Sequence, residues 1–467
     1  MAANNDDYDY RVGYVVYPDD SSGEAGRKAP YVDNGAGLIA PARYYSKEEA
    51  ELEWERMWTK VWVFAGVEQD LAEVGDYFTY ELGKESIIIV RAAPGVIRAF
   101  YNVCPHRGNR LVYNELGNIA EGKAFYCNFH GWRFNIDGSL REVKDRHTFR
   151  EETVCDLHAL KDVRCEVWNA LVFINLDPRA MPLRQYLDVI PGQLKNYDFS
   201  RQRVYSDLRG VVDANWKIAL EAFIEFYHAD DTHPQAIPIT ATLKTQYDLY
   251  RNGMSRMIIP TGYAGDRAAK PEEVTQGLRG FVSLYNGGVM PDYPGIDGQN
   301  YRKAYAQVMR QWAARNGHAD LFARLTDDQI TDDWNYHVFP TITINVFSYG
   351  MLIQSWTPHP TEPGKHRYRA LTMLLPLNDP EQYVMGFTSF AFPQEKGWTG
   401  EERPPVVYPK TLEEWGNLLA QDLERVPKVQ EGVQSRAYEG HRLSESENRL
   451  RHYLTEIDRY LGRSTRV

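Results

Sequence analysis

The chain has 467 residues, a net charge of −11 and only four cysteines, which is length enough for two or three domains with sizeable cores. The acidity argues against nucleic acid or an anionic membrane as main partner, and so few cysteines exclude a secreted disulfide scaffold. No run of about eighteen apolar residues occurs, and the acidic start MAANNDDYDYR lacks a signal-peptide pattern, so the expected setting is a reducing cytoplasm with no membrane span.

Residues 1–40 are polar and rich in Gly and Asp, and are expected to wrap over another part of the molecule or stay loose. SKEEAELEWERMW predicts a helix from Ser46 to Trp58, with Ser46 and Glu49 as a capping box. From Val61 to Leu176 the texture changes to short β-runs (VWVFAGV, DYFTYELG, ESIIIVRA, VIRAFYNV, KAFYCN, ALVFINL), separated by turn signals such as AAPGV and DGSL. Residues 41–178 are thus expected to form a compact antiparallel β domain.

Within it, Cys104-Pro105-His106 and Cys127-Asn128-Phe129-His130 read C-x-H, twenty residues, C-x-x-H. Two thiolates and two imidazoles can hold zinc or an iron–sulfur cluster. Zinc ribbons usually set cysteine two to four residues from cysteine. One Cys and one His per loop suits a two-iron cluster in which one iron takes both cysteines and the other both histidines. The flanking glycines, Gly108 and Gly131, would let backbone amides approach the sulfurs. Cys155 and Cys165 lie beyond the motif in β-like sequence and read as free buried thiols.

After Pro178 a short helical link, MPLRQYLDVIPGQL, leads into a second domain over 179–467, opening with strand-like RVYSDLRGVVDA. Residues 214–234, ANWKIALEAFIEFYHADDTHP, then read as a largely apolar helix with one polar stripe, Lys217, Glu221, Glu225 and His228, at steps of four, four and three. His233 comes five residues after His228, so the helix must loosen or end there, with Asp230, Asp231, Thr232 and Pro234 as breakers. Two imidazoles at a helix end beside a buried carboxylate resemble a metal site; the plainer alternative is a solvated charged stripe.

Residues 260–335 read as an insertion: irregular Gly-rich sequence (GFVSLYNGGVMPDYPGIDGQ), where a substrate lid is expected, and the basic helix YRKAYAQVMRQWAARNG. Strands follow in YHVFPTITINVFSYGMLIQSWTPHP and HRYRALTMLLPLN. Thr411 and Glu414 suggest a capping box for a helix whose apolar face holds Trp415, Leu418, Leu419, Leu423 and Val426, with Pro427 as a kink. Asp422 interrupts that face, which a carboxylate does at a cost unless it is paired, caps a loop or binds a metal. The final helix, Leu443 to Leu461, reads as structural. The remaining histidines (147, 158, 318, 337, 359, 366, 441 and 452) are expected singly in loops or surface helices and read as structural, with His337 worth watching beside Phe339-Pro340. Together, His228, His233 and Asp422 would form two histidines and one carboxylate on one face of an iron, leaving positions open for oxygen and substrate.

CPHRG and CNFHGW, followed by the 214–234 stretch and Asp422, resemble the catalytic α subunit of the Rieske non-haem iron ring-hydroxylating oxygenases. Respiratory Rieske proteins carry a further cysteine pair that is absent here. The resemblance implies an α+β protein: an antiparallel β Rieske domain and a helix-grip catalytic domain, its antiparallel sheet curled around a long C-terminal helix. It implies a two-iron two-sulfur cluster on Cys104, His106, Cys127 and His130, and mononuclear Fe(II) on His228, His233 and Asp422. O2 is then a co-substrate, with NAD(P)H acting indirectly through a reductase, a ferredoxin or both. Head-to-tail homotrimers are implied, or an α3β3 complex with a separate β subunit. Where naphthalene-type enzymes have Asp three residues before the first iron histidine, this chain has Glu225, and Glu221-Ala222-Phe223 replaces the usual Glu-Asn-Phe. In the family that carboxylate also reaches a cluster histidine across the subunit boundary, which here is His130. The Glu-x-Tyr-His form is similar to oxygenases of quaternary amines such as carnitine or glycine betaine. The leading expectation is hydroxylation of an aromatic or other hydrophobic ring, with oxidative demethylation of an amine or ether as the alternative and a non-catalytic electron carrier as a further one.

Overall fold

A computed structural model describes residues 25–119, 124–237, 240, 242–261, 302–378, 381 and 398–463. Its contacts divide the chain into two compact units, Trp54–Tyr186 with His359–Thr361, and Met1–Glu53 with Leu187–Pro358 and Glu362–Val467. The fold is α+β. No helix among the described residues is long and apolar enough to cross a membrane.

Residues 25–53 belong to the second unit. Their backbone and side chains lie along it: Ala29 donates to Asp248 at 2.7 Å and Asn34 to Asn448 at 2.9 Å. Helix α1 (Lys47–Glu53) starts at Ser46, whose hydroxyl accepts the Glu49 amide at 3.2 Å. The other half of the expected capping box does not form, because the Glu49 carboxylate is taken by Arg463 at 2.7 Å. Arg43 grips Asp458 in the same manner. After Glu53 the predicted helix widens into a π-type turn, Trp54–Trp58.

The unit that follows is β1 (Val63–Val67), β2 (Asp76–Leu82), β3 (Glu85–Ala93), β4 (Val96–Tyr101), β5 (Leu116–Asn118), β6 (Phe125–Tyr126), β7 (Arg133–Phe134), β8 (Leu140–Glu142), β9 (Asp162–Trp168), β10 (Leu171–Asn175) and helix α2 (Leu183–Tyr186). Seven strands pair antiparallel in the order β1-β10-β9-β4-β3-β2-β5, and β6-β7-β8 form a second small sheet. Tight hairpins set the registers. Leu82 opposes Glu85, Ala93 opposes Val96 and Trp168 opposes Leu171, with left-handed residues at Gly83, Gly95, Asn169 and Ala170 supplying the two-residue turns. Cys165 lies in β9, but Cys155 is exposed in a turn, contrary to the expected buried thiol.

The other unit continues with α3 (Ile190–Gln193), β11 (Arg203–Val212), α4 (Trp216–Glu221), α5 (Ala229–Thr232), β12 (Gln246–Leu249), β13 (Ser255–Ile259), α6 (Arg302–Arg315), α7 (Ala319–Phe322), α8 (Asp327–Thr331), β14 (Asp333–Val338), β15 (Ile342–Phe347), β16 (Gly350–Pro358), β17 (His366–Leu374), β18 (Val406–Val407), α9 (Asn417–Gly432) and α10 (Asn448–Leu461). Eight strands pair in the order β12-β13-β14-β15-β16-β17-β11-β18, antiparallel except for β11 and β18. Strands β14 to β16 are buried along almost their whole length, as expected of strands covered on both faces. Helix α10 lies against this sheet through Tyr453 on His337 and Tyr460 stacked on Phe339.

Several expectations need correction. The Thr411–Glu414 capping box does not form: Glu414 accepts the Lys410 amide, a 3-10 turn covers Glu413–Trp415, and α9 begins after Gly416. Trp415 instead packs on Tyr368 and over Gly210, where a Cβ would lie 2.7 Å from the indole. Helix α9, Asn417–Gly432, carries Pro427, the residue expected to kink it, in its interior, so the proline does not end it. His337 and His366 are buried in strands rather than set in loops, each facing a backbone carbonyl (Pro340 at 3.1 Å, Ala214 at 2.7 Å). The Gly-rich stretch expected to form a lid lies outside the described residues.

Candidate active site

Both cysteine loops use one backbone device. The Cys104 amide donates to the Asn109 carbonyl and Gly108 donates back to the Cys104 carbonyl (2.7 and 2.9 Å); Cys127, Trp132 and Gly131 repeat this at 2.9 and 2.8 Å. The turn needs a left-handed residue at its fourth step, φ +77° at Gly108 and +79° at Gly131, which a side chain would strain. Asn102 pins the first loop, accepting the amides of Leu111 and Val112 and donating to the Val112 carbonyl. The sulfurs face the core, with both cysteines 1% exposed, and the imidazoles lie outward with ring centroids 4.5 Å apart. Trp132 stacks flat on His106 at 4.8 Å.

Burial pushes the Cys104 thiol up to about 11; at Cys127 burial acts the same way, but the amides of Phe129 and His130 outweigh it and lower the thiol. Burial, His130 and Arg107 all lower His106, keeping it neutral, and its buried Nδ1 has no partner among the described residues. Paired sulfurs ringed by amides, beside two imidazoles of which one, His106, is held neutral with an orphaned nitrogen, fit a two-iron cluster.

The candidate mononuclear site departs from the helix expected over 214–234. Asn215 caps α4, accepting the Lys217 amide at 3.0 Å, but α4 ends at Glu221. Its polar stripe is buried, not solvated: Lys217 pairs with Glu53 at 2.6 Å, and Glu221 accepts the hydroxyls of Tyr44 and Tyr453. Beyond it the Glu225 carboxylate captures the amides of Tyr227 and His228, competing with helix propagation as a capping side chain does. A single helical turn, α5, then separates His228 from His233, which precede and follow it as its caps.

This places both imidazoles toward Asp422 of α9, which is 4% exposed. Its Oδ1 lies 3.6 Å from His228 Nε2 and 3.3 Å from His233 Nε2. Donors about 2.1 Å from one ion and 90° to 120° apart are separated by roughly 3.0–3.6 Å, so this group fits a metal. The outer ring nitrogens are committed elsewhere. His228 Nδ1 donates to Glu225 Oε1, and His233 Nδ1 to Gln421 Oε1 at 2.8 Å, so in the neutral ring each Nε2 lone pair is the one available to a metal, which at His228 must displace a proton. Burial by itself would lower His228, but Glu225 and Asp422 raise it to about 9, so positive charge is favoured at this point. Gln421 escaped the sequence reading; its one signal is its place beside Asp422.

A pocket of about 900 Å³, open mouth included, is lined by His228, His233 and Asp422. Phe223, Phe226, Tyr305 and Phe347 form aromatic walls. Asp333, Asn335 and Asn345 line it too and were also missed. Their signal is the alternation Asp333, Asn335, His337 within DWNYHV, readable only once β14 is known to turn that face inward.

Residues 61–160 match the Rieske [2Fe-2S] domain, and residues 194–463 match the ring hydroxylating alpha subunit catalytic domain. The chain is 34% identical over 200 residues to the carnitine monooxygenase oxygenase subunit of Escherichia coli K12, covering 42% of this chain and 52% of that protein. It is 33% identical over 210 residues to the benzene 1,2-dioxygenase subunit alpha of Pseudomonas putida, covering 43% and 45%. The chain thus spans about half the length of the curated relatives it matches. A solved quaternary ammonium Rieske monooxygenase superposes with TM-score 0.63 at 19% identity over 91% of this chain and 95% of that one. Naphthalene 1,2-dioxygenase from Rhodococcus sp. gives 0.61 at 19% identity over 91% and 94%. With a Rieske two-iron two-sulfur domain preceding a mononuclear-iron catalytic domain, the chain belongs to the ring-hydroxylating alpha subunit family of Rieske oxygenases.

Proposed function

We propose that the chain is the terminal component of an oxygenase, using O2 and electrons from a reductase or ferredoxin to hydroxylate a hydrophobic small molecule. The observation that carries this is the convergence of His228 Nε2, His233 Nε2 and Asp422 Oδ1 within 4.8 Å on the wall of an aromatic pocket. A carrier of electrons alone has no use for it. Cys104, His106, Cys127 and His130 would hold the cluster, and His228, His233 and Asp422 the mononuclear iron. Bound there, the two centres supply electrons and a place where dioxygen is activated. Glu225 and Gln421 hold the two imidazoles in the ligating tautomer. Phe223, Phe226 and Phe347 exclude water and hold the apolar body of the substrate. Ring hydroxylation in aromatic catabolism suits that wall. Oxidative demethylation of an amine is the second reading, favoured by the polar end of the pocket at Asp333 and Asn345 and by Glu225. We place the protein in a reducing cytoplasm, as a homotrimer or an α3β3 complex.

Protein purified without oxygen should hold about three irons and two acid-labile sulfides per chain. Asp422→Ala should lose one iron and all turnover, with products assayed on aromatic, terpenoid and amine substrates plus reductase, while keeping the cluster spectrum. Zinc at Cys104 and Cys127 with no labile sulfide would refute the reading.

A further inference from the structure

One end of the pocket is built for something other than a hydrocarbon. Asp333, on β14, is 5% exposed. Its Oδ2 accepts from Asn345 Nδ2 at 2.8 Å, the partner lying on the adjacent strand β15. Its Oδ1 has no hydrogen-bond partner among the described residues, and neither has Oδ1 of Asn345. Two buried acceptor oxygens, one of them on a carboxylate, are thus left without a donor on residues that line the pocket. Such a group costs more than an ordinary hydrogen bond returns, and it persists where something else supplies the donor.

The protein's own cations do not fill this role. Arg449, the cation felt by Asp333, donates Nε to Ser255 Oγ at 2.9 Å and Nη2 to Asn335 Oδ1 at 3.0 Å; among the described residues its buried Nη1 has no partner, yet it makes no hydrogen bond or ion pair with Asp333. Arg302 is spent on Asp332, the next residue back in the chain. Burial, with a smaller push from Asp332, raises the Asp333 carboxyl to about 7 despite the opposing hydrogen bond from Asn345, as happens to a carboxylate without its counter-ion. The opposing walls, Phe223, Phe226, Tyr305 and Phe347, offer electron-rich ring faces that attract an organic cation.

We infer that Asp333 is the counter-ion of a protonated amine: the substrate carries a cationic nitrogen with at least one N–H, received by Oδ1 of Asp333 and Oδ1 of Asn345 against the aromatic wall. Two acceptors without donors call for an N–H, which a quaternary ammonium lacks. The inference rests on the reading of this pocket as the oxygenase active site.

The test is binding to the metal-loaded protein by calorimetry at neutral pH, with three benzyl probes, the last two of one shape and the first smaller by a methyl group. N,N-dimethylbenzylamine carries charge and an N–H, benzyltrimethylammonium carries charge alone, and neopentylbenzene carries neither. The amine should bind at least about tenfold more tightly than the hydrocarbon, with the quaternary ion between them. Asp333→Asn should bring the amine down to the level of the hydrocarbon and leave the hydrocarbon unchanged. If that variant does not fold, the order of the three probes on the wild type decides alone. Equal binding of the three, binding by none, a quaternary ion bound most tightly, or an equal loss for all probes in Asp333→Asn would overturn the inference. Iron and labile sulfide on the same preparations keep the two readings apart. Full metal without an amine preference sinks only the role of Asp333, whereas missing mononuclear iron sinks the oxygenase.

Discussion

Replacing Glu225 with Gln tests how His228 is held for the proposed iron site. The carboxylate accepts three N–H groups from its own loop: the Tyr227 and His228 amides on Oε2 and the His228 ring on Oε1. A carboxamide has one acceptor oxygen and one NH2 group, so one side of this arrangement must then face a donor. If the oxygen turns to the ring, two partly buried amides lose their acceptor, at about 1–3 kcal/mol each. If it stays with the amides, the NH2 meets Nδ1, the ring proton moves to Nε2, and the lone pair directed at Asp422 and His233 is lost. That second route weakens metal binding about 10- to 100-fold, or roughly 1.4–2.7 kcal/mol, and is the smaller cost. The expected result is therefore a protein with nearly normal thermal unfolding and an intact cluster spectrum that yields its mononuclear iron to a chelator 10 to 100 times more readily. The assay is anaerobic competition with a graded series of chelators, read as iron per chain. Retention within about twofold of wild type, a few tenths of a kcal/mol, would refute the tautomer argument.

Asp207 is buried among Arg209, Arg369 and Arg403. Burial alone would raise its carboxyl, but Arg369 and Arg209 hold it well below the usual carboxylate range, so its contribution is complete above the unfolded value of about 4 and drains away as pH falls below that. Asp207→Asn should cost about 3–5 kcal/mol at pH 7 and flatten the fall in urea midpoint between pH 5 and 3; an unchanged acid slope would contradict this. Gly108→Ala meets no atom within 4 Å of the new Cβ, so it costs only the backbone strain of φ +77°, about 1–2 kcal/mol. It should speed loss of labile sulfide on mild heating, and Gly131→Ala, whose Cβ would lie 3.3 Å from Lys144, should lose it faster still; equal loss from wild type and both variants would refute this.

What could be read before the structure was whatever local spacing encodes. The loops at Cys104 and Cys127 are short turns closed by their own backbone, so residue types at fixed steps report them. Asp422 stood out because a carboxylate on an apolar helical face demands a reason. The helix over 214–234 did not survive beyond Glu221, because its periodicity was indistinguishable from that of a chain whose Glu225 side chain captures amides. Lys217 looked solvated because its partner Glu53 lies far off in sequence. The polar end of the pocket was unreadable for the same reason. Asn335 opposes Asn345 only through strand pairing, and nothing within DWNYHV says which face turns inward.

The grip of Arg43 on Asp458 and of Glu49 on Arg463 spans 415 and 414 residues. As the polypeptide leaves the ribosome, the stretch from Trp54 to Tyr186 finds all its strand partners within itself and can close early. The unit around it cannot, because its first segment waits for its last helix, and His228 and His233 wait for Asp422. Loop-closure entropy makes that last step slow. The smaller unit can therefore close early, while the larger one stays open until α9 and α10 have been made.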